Sequence, residues 1–293
     1  MIYVTVPGDT VSSISRQSGV PVWKILYDNQ LGEEGKLTVG QALLLLKPQE
    51  SAGIRKDLYV TGYAYPFIEP YVLEMAFPAL NELLVFSYGF TFEGELVPPI
   101  QDETWMIQLA WENGIEPMLV LTPFTQGVFN NQLIQTLVEE ESVRENVITN
   151  LLKVVEEKGY VGVDVDFEYV RAQNREGYAE FVGELRAAMN EKGYRVSVAL
   201  APKTSSDQKG LLYEGIDYAL LGEQADRLFL MTYEWGYSYG PPMAVAPLTK
   251  VRQVVEYALT QIPAEKLLMG IPNYGYNLSL IHISEPTRRR GIS

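Results

Sequence analysis

Cysteine is absent from the 293-residue chain and histidine occurs once, at His282. Without cysteine there is no disulfide framework, no thiolate metal site and no cysteine nucleophile, and one histidine cannot build a multi-histidine metal centre. Basic residues are also scarce, 23 Lys and Arg against 37 Asp and Glu, for a net charge of −14. Phosphate backbones are held by clustered positive charge, so nucleic acid is not an expected partner. No apolar run approaches the roughly 18 to 20 residues of a membrane span. The N-terminus also lacks the basic-then-apolar pattern of a classical secretory signal. Chemistry must then come from carboxylates, tyrosines and amides, and no metal or other cofactor is expected.

What is present suffices for a sizeable core, with 47% hydrophobic and 20% charged residues. The acidic excess is uneven: residues 49–277 carry 32 acidic and 16 basic side chains, whereas 1–48 are balanced and 278–293 are net basic. Residues 49–56, small or polar apart from Ile54, read as a linker between a module at 1–48 and a larger domain at 57–277. The last stretch, 278–293, contains His282 and the run Arg288-Arg289-Arg290, resembles a translated sequencing adaptor and is read as foreign to the fold.

In the first block Tyr3-Val4-Thr5-Val6 alternates like a short strand, and Pro7-Gly8-Asp9-Thr10 is a turn whose Asp or Thr can cap the helix that follows. That helix ends at Gly19. A second, from about Pro21 to Asp28, is expected to turn Val22, Ile25 and Leu26 inward, and Leu43–Leu46 closes a β-α-α-β unit. On these residues, with Asn29-Gln30-Leu31 and Leu37-Thr-Val-Gly-Gln41, the block resembles the LysM module. The resemblance implies binding of N-acetylglucosamine-containing glycans in a groove at Gly8, Asp9, Thr10, Asn29, Gln30 and Leu31. Capping alone is an equal reading of the Asp9 and Thr10 side chains.

Beyond the linker, short apolar runs alternate with amphipathic helical stretches, the mark of an α/β fold. Strands are predicted at Leu58–Tyr63, Leu83–Tyr88, Pro117–Leu121, Gly162–Glu168, Tyr194–Leu200, Arg227–Tyr233 and Leu267–Asn273. Ser142-Val-Arg-Glu145 reads as a capping box for a helix with its apolar stripe at Val143, Val147, Leu151 and Val154/Val155, ending at Gly159. A further helix spans about Arg175 to Glu191 with Tyr178, Phe181, Val182, Leu185 and Met189 inward. Repeated strand and helix without a Gly-rich phosphate loop point to a (β/α)8 TIM-type barrel rather than an open doubly wound sheet.

The most informative stretch is Gly162-Val-Asp-Val-Asp-Phe-Glu168, in which Asp164, Asp166 and Glu168 alternate with Val163, Val165 and Phe167. Residues two apart on a strand share a face, so the carboxyls form a row about 6 to 7 Å apart. An acidic face in water is one reading. Inside a barrel, crowded carboxyls cannot all ionise, so one remains protonated, which is what a glycosidic leaving group needs.

Here the sequence resembles glycoside hydrolase family 18, whose strand-four motif is matched by Gly162, Asp164, Asp166 and Glu168, with Val161 where an Asp is usual. The resemblance implies that Glu168 is the proton donor, that Asp166 orients the substrate's 2-acetamido group, and that Asp164 tunes Asp166. Met231-Thr-Tyr233-Glu234-Trp235 matches a second motif, with Glu for Asp, and implies that Tyr233 hydrogen-bonds the acetamido oxygen. Substrate contacts are implied at Tyr65, Met231, Glu234, Trp235, Asn273 and Tyr274. The Ser-x-Gly-Gly of many chitinases is replaced by Leu121-Thr-Pro-Phe-Thr125.

With the LysM-like block, the chain looks like bacterial spore peptidoglycan hydrolases of N-acetylglucosaminidase type. The expected location is therefore the spore coat, cortex or cell wall, and the expected partners are peptidoglycan or chitin-like N-acetylglucosamine glycans. A chitinase and a non-catalytic glycan-binding protein are the alternatives. With the tail set aside, the barrel reads as truncated after its seventh strand, with open edges that favour aggregation.

Overall fold

The computed structural model describes residues 2–32, 35–46, 58–125, 128–236 and 243–275. The expected linker at 49–56 and the tail at 278–293 lie outside them. By its internal contacts the chain divides into two compact units, residues 1–58 and 59–293.

In the first unit, β1 (Ile2–Val4) pairs antiparallel with β2 (Ala42–Leu44), and α1 (Val11–Ser18) and α2 (Val22–Asp28) lie between them in sequence. Thr10 caps α1. Its hydroxyl accepts from the Ser13 amide at 3.0 Å while the Ser13 hydroxyl accepts from the Thr10 amide at 2.9 Å. Gly19 ends α1 with a left-handed φ of 73°. Val11, Ile14, Val20, Ile25, Leu43 and Leu45 form the core, with Leu26 packed against it. Val22, expected inward, is exposed. It opens α2, where a side chain leans toward the helix N-terminus and so past the edge of this small core.

The second unit begins with β3 (Thr61–Ala64), α3 (Pro70–Ala76), β4 (Glu82–Phe90), the short β5 (Leu96–Val97), α4 (Thr104–Glu112) and β6 (Glu116–Leu121). A hairpin of β7 (Phe124–Thr125) and β8 (Val128–Phe129) precedes α5 (Asn131–Glu139) and α6 (Glu141–Lys158). Then come β9 (Gly162–Val165), α7 (Arg175–Glu191), β10 (Arg195–Leu200), α8 (Tyr218–Gln224), β11 (Arg227–Leu230), α9 (Leu248–Gln261) and β12 (Leu267–Met269).

Seven strands form one parallel sheet in chain order, β3-β4-β6-β9-β10-β11-β12, with β5 antiparallel on the end of β4. Consecutive parallel neighbours separated by helices are the plan of a TIM-type barrel. Among the described residues, β3 and β12 are its two edges.

Period-two alternation divides the strand residues between two layers. Leu83, Val85, Leu119, Leu121, Val163 and Val165 join the core shared with the helices. Leu84, Met118 and Val120 form a separate cluster with Tyr63 and Phe86 on the other face. The predicted inward stripes hold: Val143, Val147, Leu151 and Val155 of α6 are buried, as are Tyr178, Phe181, Val182, Leu185 and Met189 of α7. The capping box read at Ser142 is not formed, because α6 starts at Glu141 with Glu140 as its N-cap residue and no side-chain cap. Ser142 falls inside the first turn, where it no longer precedes the helix.

The N-terminal ends of the strands are tied by charge. Glu82, 1% exposed at the start of β4, accepts from Arg195 at 3.0 Å and from the Tyr59 hydroxyl at 3.1 Å, and Arg195 also meets Glu116 at 2.5 Å. The Arg227 guanidinium lies 3.9 Å from the centre of the Tyr59 ring.

Candidate active site

Register puts Asp164 opposite Val120 on β6 and Ser197 on β10, so its carboxyl enters the inner layer. It is fully buried, accepting from the Tyr63 hydroxyl at 2.8 Å through Oδ2 and from the Ser197 hydroxyl through Oδ1. Burial pushes its pKa up to about 6, and the two hydrogen bonds hold it from rising further.

The predicted strand over Gly162–Glu168 ends earlier, at Val165. Asp166 extends the pairing by one bond, its amide donating to the Leu121 carbonyl at 2.9 Å. Its side chain is buried and Oδ1 has no hydrogen-bond partner among the described residues. Burial first, and then the charges of Asp164 and Glu168, raise its pKa well above the usual carboxylate range. A buried acceptor without a donor is costly. Here the remedy is a proton or a donor brought by a ligand.

Glu168 lies past the strand, half-buried, and its pKa is raised by burial and then by the charge of Glu234. The next residue, Tyr169, has a φ of 59°, a left-handed conformation uncommon for a tyrosine. Tyr233, likewise past the end of β11 rather than in it, is followed by Glu234 with a φ of 66°. Burial, followed by the charges of Asp166, Glu234, Glu168 and Asp164, raises the Tyr233 pKa. Tyr233 therefore stays a hydroxyl donor, within electrostatic reach of all four carboxyls.

Glu234 accepts from the Tyr274 hydroxyl at 2.7 Å, and the Tyr274 ring stands 6.5 Å from that of Tyr233. Asn273 is exposed on the same segment past β12. Met231 is half-buried, and Trp235 packs against the apolar core. Tyr65, 49% exposed, stacks on Phe67 at 4.9 Å and meets Phe86 at 4.9 Å. These three rings, with Pro98, Pro99 and Phe124, line an apolar cleft of about 780 Å³. Burial first, and then the charge of Asp166, raise the pKa of the Tyr65 hydroxyl.

Ser197 is the site residue that sequence reading missed. Its signal was present: in Arg195-Val-Ser-Val it is a polar residue on a strand flanked by two buried valines. Tyr63 stood as the last residue of the first predicted strand, and nothing local joined it to Asp164.

In the first unit the groove side chains are largely committed to the frame. Asp9 Oδ2 accepts from the Val6 amide at 2.8 Å and from the Tyr3 hydroxyl at 2.9 Å, and Thr10 caps α1. The Asn29 amide donates to the Ile25 and Leu44 carbonyls at 2.9 Å each and accepts from the Leu44 amide at 2.6 Å. Leu31 is half-buried against the core. Gly8, with a φ of 91°, shapes the turn, and Gln30 is exposed with a φ of 50°. Of these expected groove residues, Gln30 presents an exposed side chain.

Two family models match the sequence: glycosyl hydrolases family 18 over residues 127–289 and the LysM domain over residues 3–45. The chain is 39% identical over 219 residues to a cortical fragment-lytic enzyme of Bacillus subtilis (strain 168), covering 74% of this chain and 50% of the relative. It is 35% identical over 203 residues to the enzyme of the same name in Bacillus anthracis, covering 69% and 47%. The chain thus spans about half the length of these relatives. The crystal structure of the Bacillus cereus spore cortex-lytic enzyme SleL matches with a TM-score of 0.70 at 29% identity, over 98% of this chain and 70% of that one.

Proposed function

This chain belongs to family 18 of the glycosyl hydrolases, and we propose that it cleaves β-1,4 linkages at N-acetylglucosamine in spore-cortex peptidoglycan. The LysM unit, assigned to residues 1–48 and joined through 49–56 to a catalytic domain at 57–277, holds the glycan. The proposed place of action is the spore cortex or cell wall, in keeping with the cortex-lytic names of the relatives.

The observation that carries this reading is the buried, unpartnered Oδ1 of Asp166, set among Asp164, Glu168 and Tyr233. A 2-acetamido group supplies what that site wants: an N–H for Asp166 and a carbonyl oxygen for the Tyr233 hydroxyl. In the first step Glu168, whose pKa is raised by burial and by Glu234, gives its proton to the glycosidic oxygen. As the C–O bond breaks, the acetamido oxygen attacks the anomeric carbon and closes an oxazolinium ring. No second protein nucleophile is required. In the second step the Glu168 carboxylate takes a proton from water, which opens the ring with net retention. Asp166 orients the N–H and balances the ring's positive charge, and Asp164 supports Asp166.

The test is incubation of the chain and its Glu168→Gln variant with spore-cortex and vegetative peptidoglycan, with new reducing ends identified by mass spectrometry. Fragments ending in reducing N-acetylglucosamine, absent with the variant, are expected. Fragments ending in reducing muramic acid, or equal turnover by the variant, would end the assignment. Cleavage of chitin oligomers with peptidoglycan untouched would move the substrate to chitin.

A further inference from the structure

Gly270 stands one residue past β12, where its amide donates to the Leu230 carbonyl at 2.8 Å and continues the pairing with β11. Its own carbonyl accepts from the Thr232 hydroxyl at 2.7 Å, which pins it to the strand end that leads to Tyr233. A Cβ at this position would lie 2.7 Å from Cε1 of Tyr233, 2.5 Å from the Leu230 carbonyl oxygen and 3.0 Å from Cζ of Phe229. Carbon atoms in contact sit about 3.5 to 4.0 Å apart, so the tyrosine ring occupies space that any other residue would fill. Backbone angle does not account for the glycine, since Gly270 is not among the residues with positive φ. Space is what requires it.

The same spot supports a run of rings. Tyr233 lies 6.3 Å from Phe229, and Phe229 lies 5.2 Å from Tyr63, whose hydroxyl holds Asp164.

We propose that Gly270 is a positioning residue for Tyr233: its bare Cα forms the wall on which the ring rests and so sets where the hydroxyl meets the acetamido oxygen. The inference rests on the reading of Tyr233 given above. A side chain at 270 displaces the ring, and a displacement of about 1 Å in a reacting constellation costs about 10²-fold in rate.

The test compares cortex hydrolysis by the full chain with Gly270→Ala, Tyr233→Ala, Tyr233→Phe and the double variant Gly270→Ala/Tyr233→Ala, with a thermal melt of each. Gly270→Ala is expected to lower kcat by about 10²-fold with KM little changed, because the lost contact acts in the transition state. The double variant is expected to be no slower than Tyr233→Ala alone, since an effect of the methyl group that acts through the ring has no target once the ring is gone. A double variant slowed by the product of the two single effects would overturn the inference and assign the effect to the Leu230 carbonyl. Should Gly270→Ala fail to fold, folding of the double variant supports the inference, and failure of both overturns it. Wild-type rates in both Tyr233 variants would remove the reading of Tyr233, and the inference with it. No hydrolysis by the wild-type chain counts against both.

Discussion

The Tyr63 hydroxyl donates to Asp164 Oδ2 at 2.8 Å, joining residues 101 positions apart across the inner layer of the barrel. With Ser197 on the other oxygen, it gives the carboxylate form of Asp164 two donors inside the protein. Tyr63→Phe removes one of them. A cost of about 1 to 3 kcal/mol is expected above pH 6, where Asp164 is ionised, and a smaller cost near pH 4, as read by urea unfolding at both values.

Asp164 also sets a sign for stability against pH. Its pKa is about 6 in the fold against an ordinary 3.8. Between those values the folded state binds more protons than the unfolded state, so this stability is present below the lower value and is lost as pH rises through the higher. Asp166 and Glu168, also raised, act in the same direction. The melting temperature of Asp164→Asn should therefore fall less than that of the wild type between about pH 4 and pH 6. Parallel curves would show that Asp164 does not titrate in this window.

Replacing Glu168 by Gln keeps the shape of the side chain and removes the proton it gives. Turnover of cortex glycan should fall by about 10² to 10⁴-fold while glycan binding, read by pull-down on insoluble peptidoglycan, persists.

Glu234→Gln removes a negative charge that raises the pKa of Glu168. Ionisation of Glu168 then becomes easier, so the proton donor is lost at lower pH. The alkaline limb of the kcat/KM profile should move toward acid, and an unmoved limb would separate Glu234 from Glu168.

In the first unit, Asn29 makes three hydrogen bonds, one back to Ile25 of α2 and two to Leu44 that tie the end of α2 to β2. Asn29→Ala should destabilise that unit by about 1 to 3 kcal/mol. Faster hydrogen exchange at the Leu44 amide in the full chain is the direct readout. Glycan binding should weaken only in proportion to the unit's unfolding, because the side chain faces its own backbone.

Much of this was legible because it is periodic. The stripes of α6 and α7 and the alternation of Asp164 with Val163 and Val165 are written at fixed spacing, and spacing survives in a sequence. The ends of the elements are not periodic. Glu168 and Tyr233 continued the alternation of their strands on paper, yet both strands stop before them, where pairing gives way to left-handed residues. Ser142 matched a capping pattern that a helix starting two residues earlier than the pattern requires left unused. Asn29 matched a ligand loop, but two of its three bonds depend on Leu44 of β2, 15 positions away. Contacts set by tertiary approach, such as Ser197 with Asp164 or Gly270 with Tyr233, leave only a weak local mark.

Tyr169 and Glu234, each in a left-handed conformation directly after a proposed catalytic side chain, have a consequence for engineering. A glycine at either position would relieve about 1 kcal/mol of backbone strain. It would also free the chain to swing just where Glu168 or Tyr233 must be held. Selection for heat resistance alone should therefore drift toward glycine at these two positions and produce a hardier but slower enzyme, a trade-off confined to two hinges of one residue each.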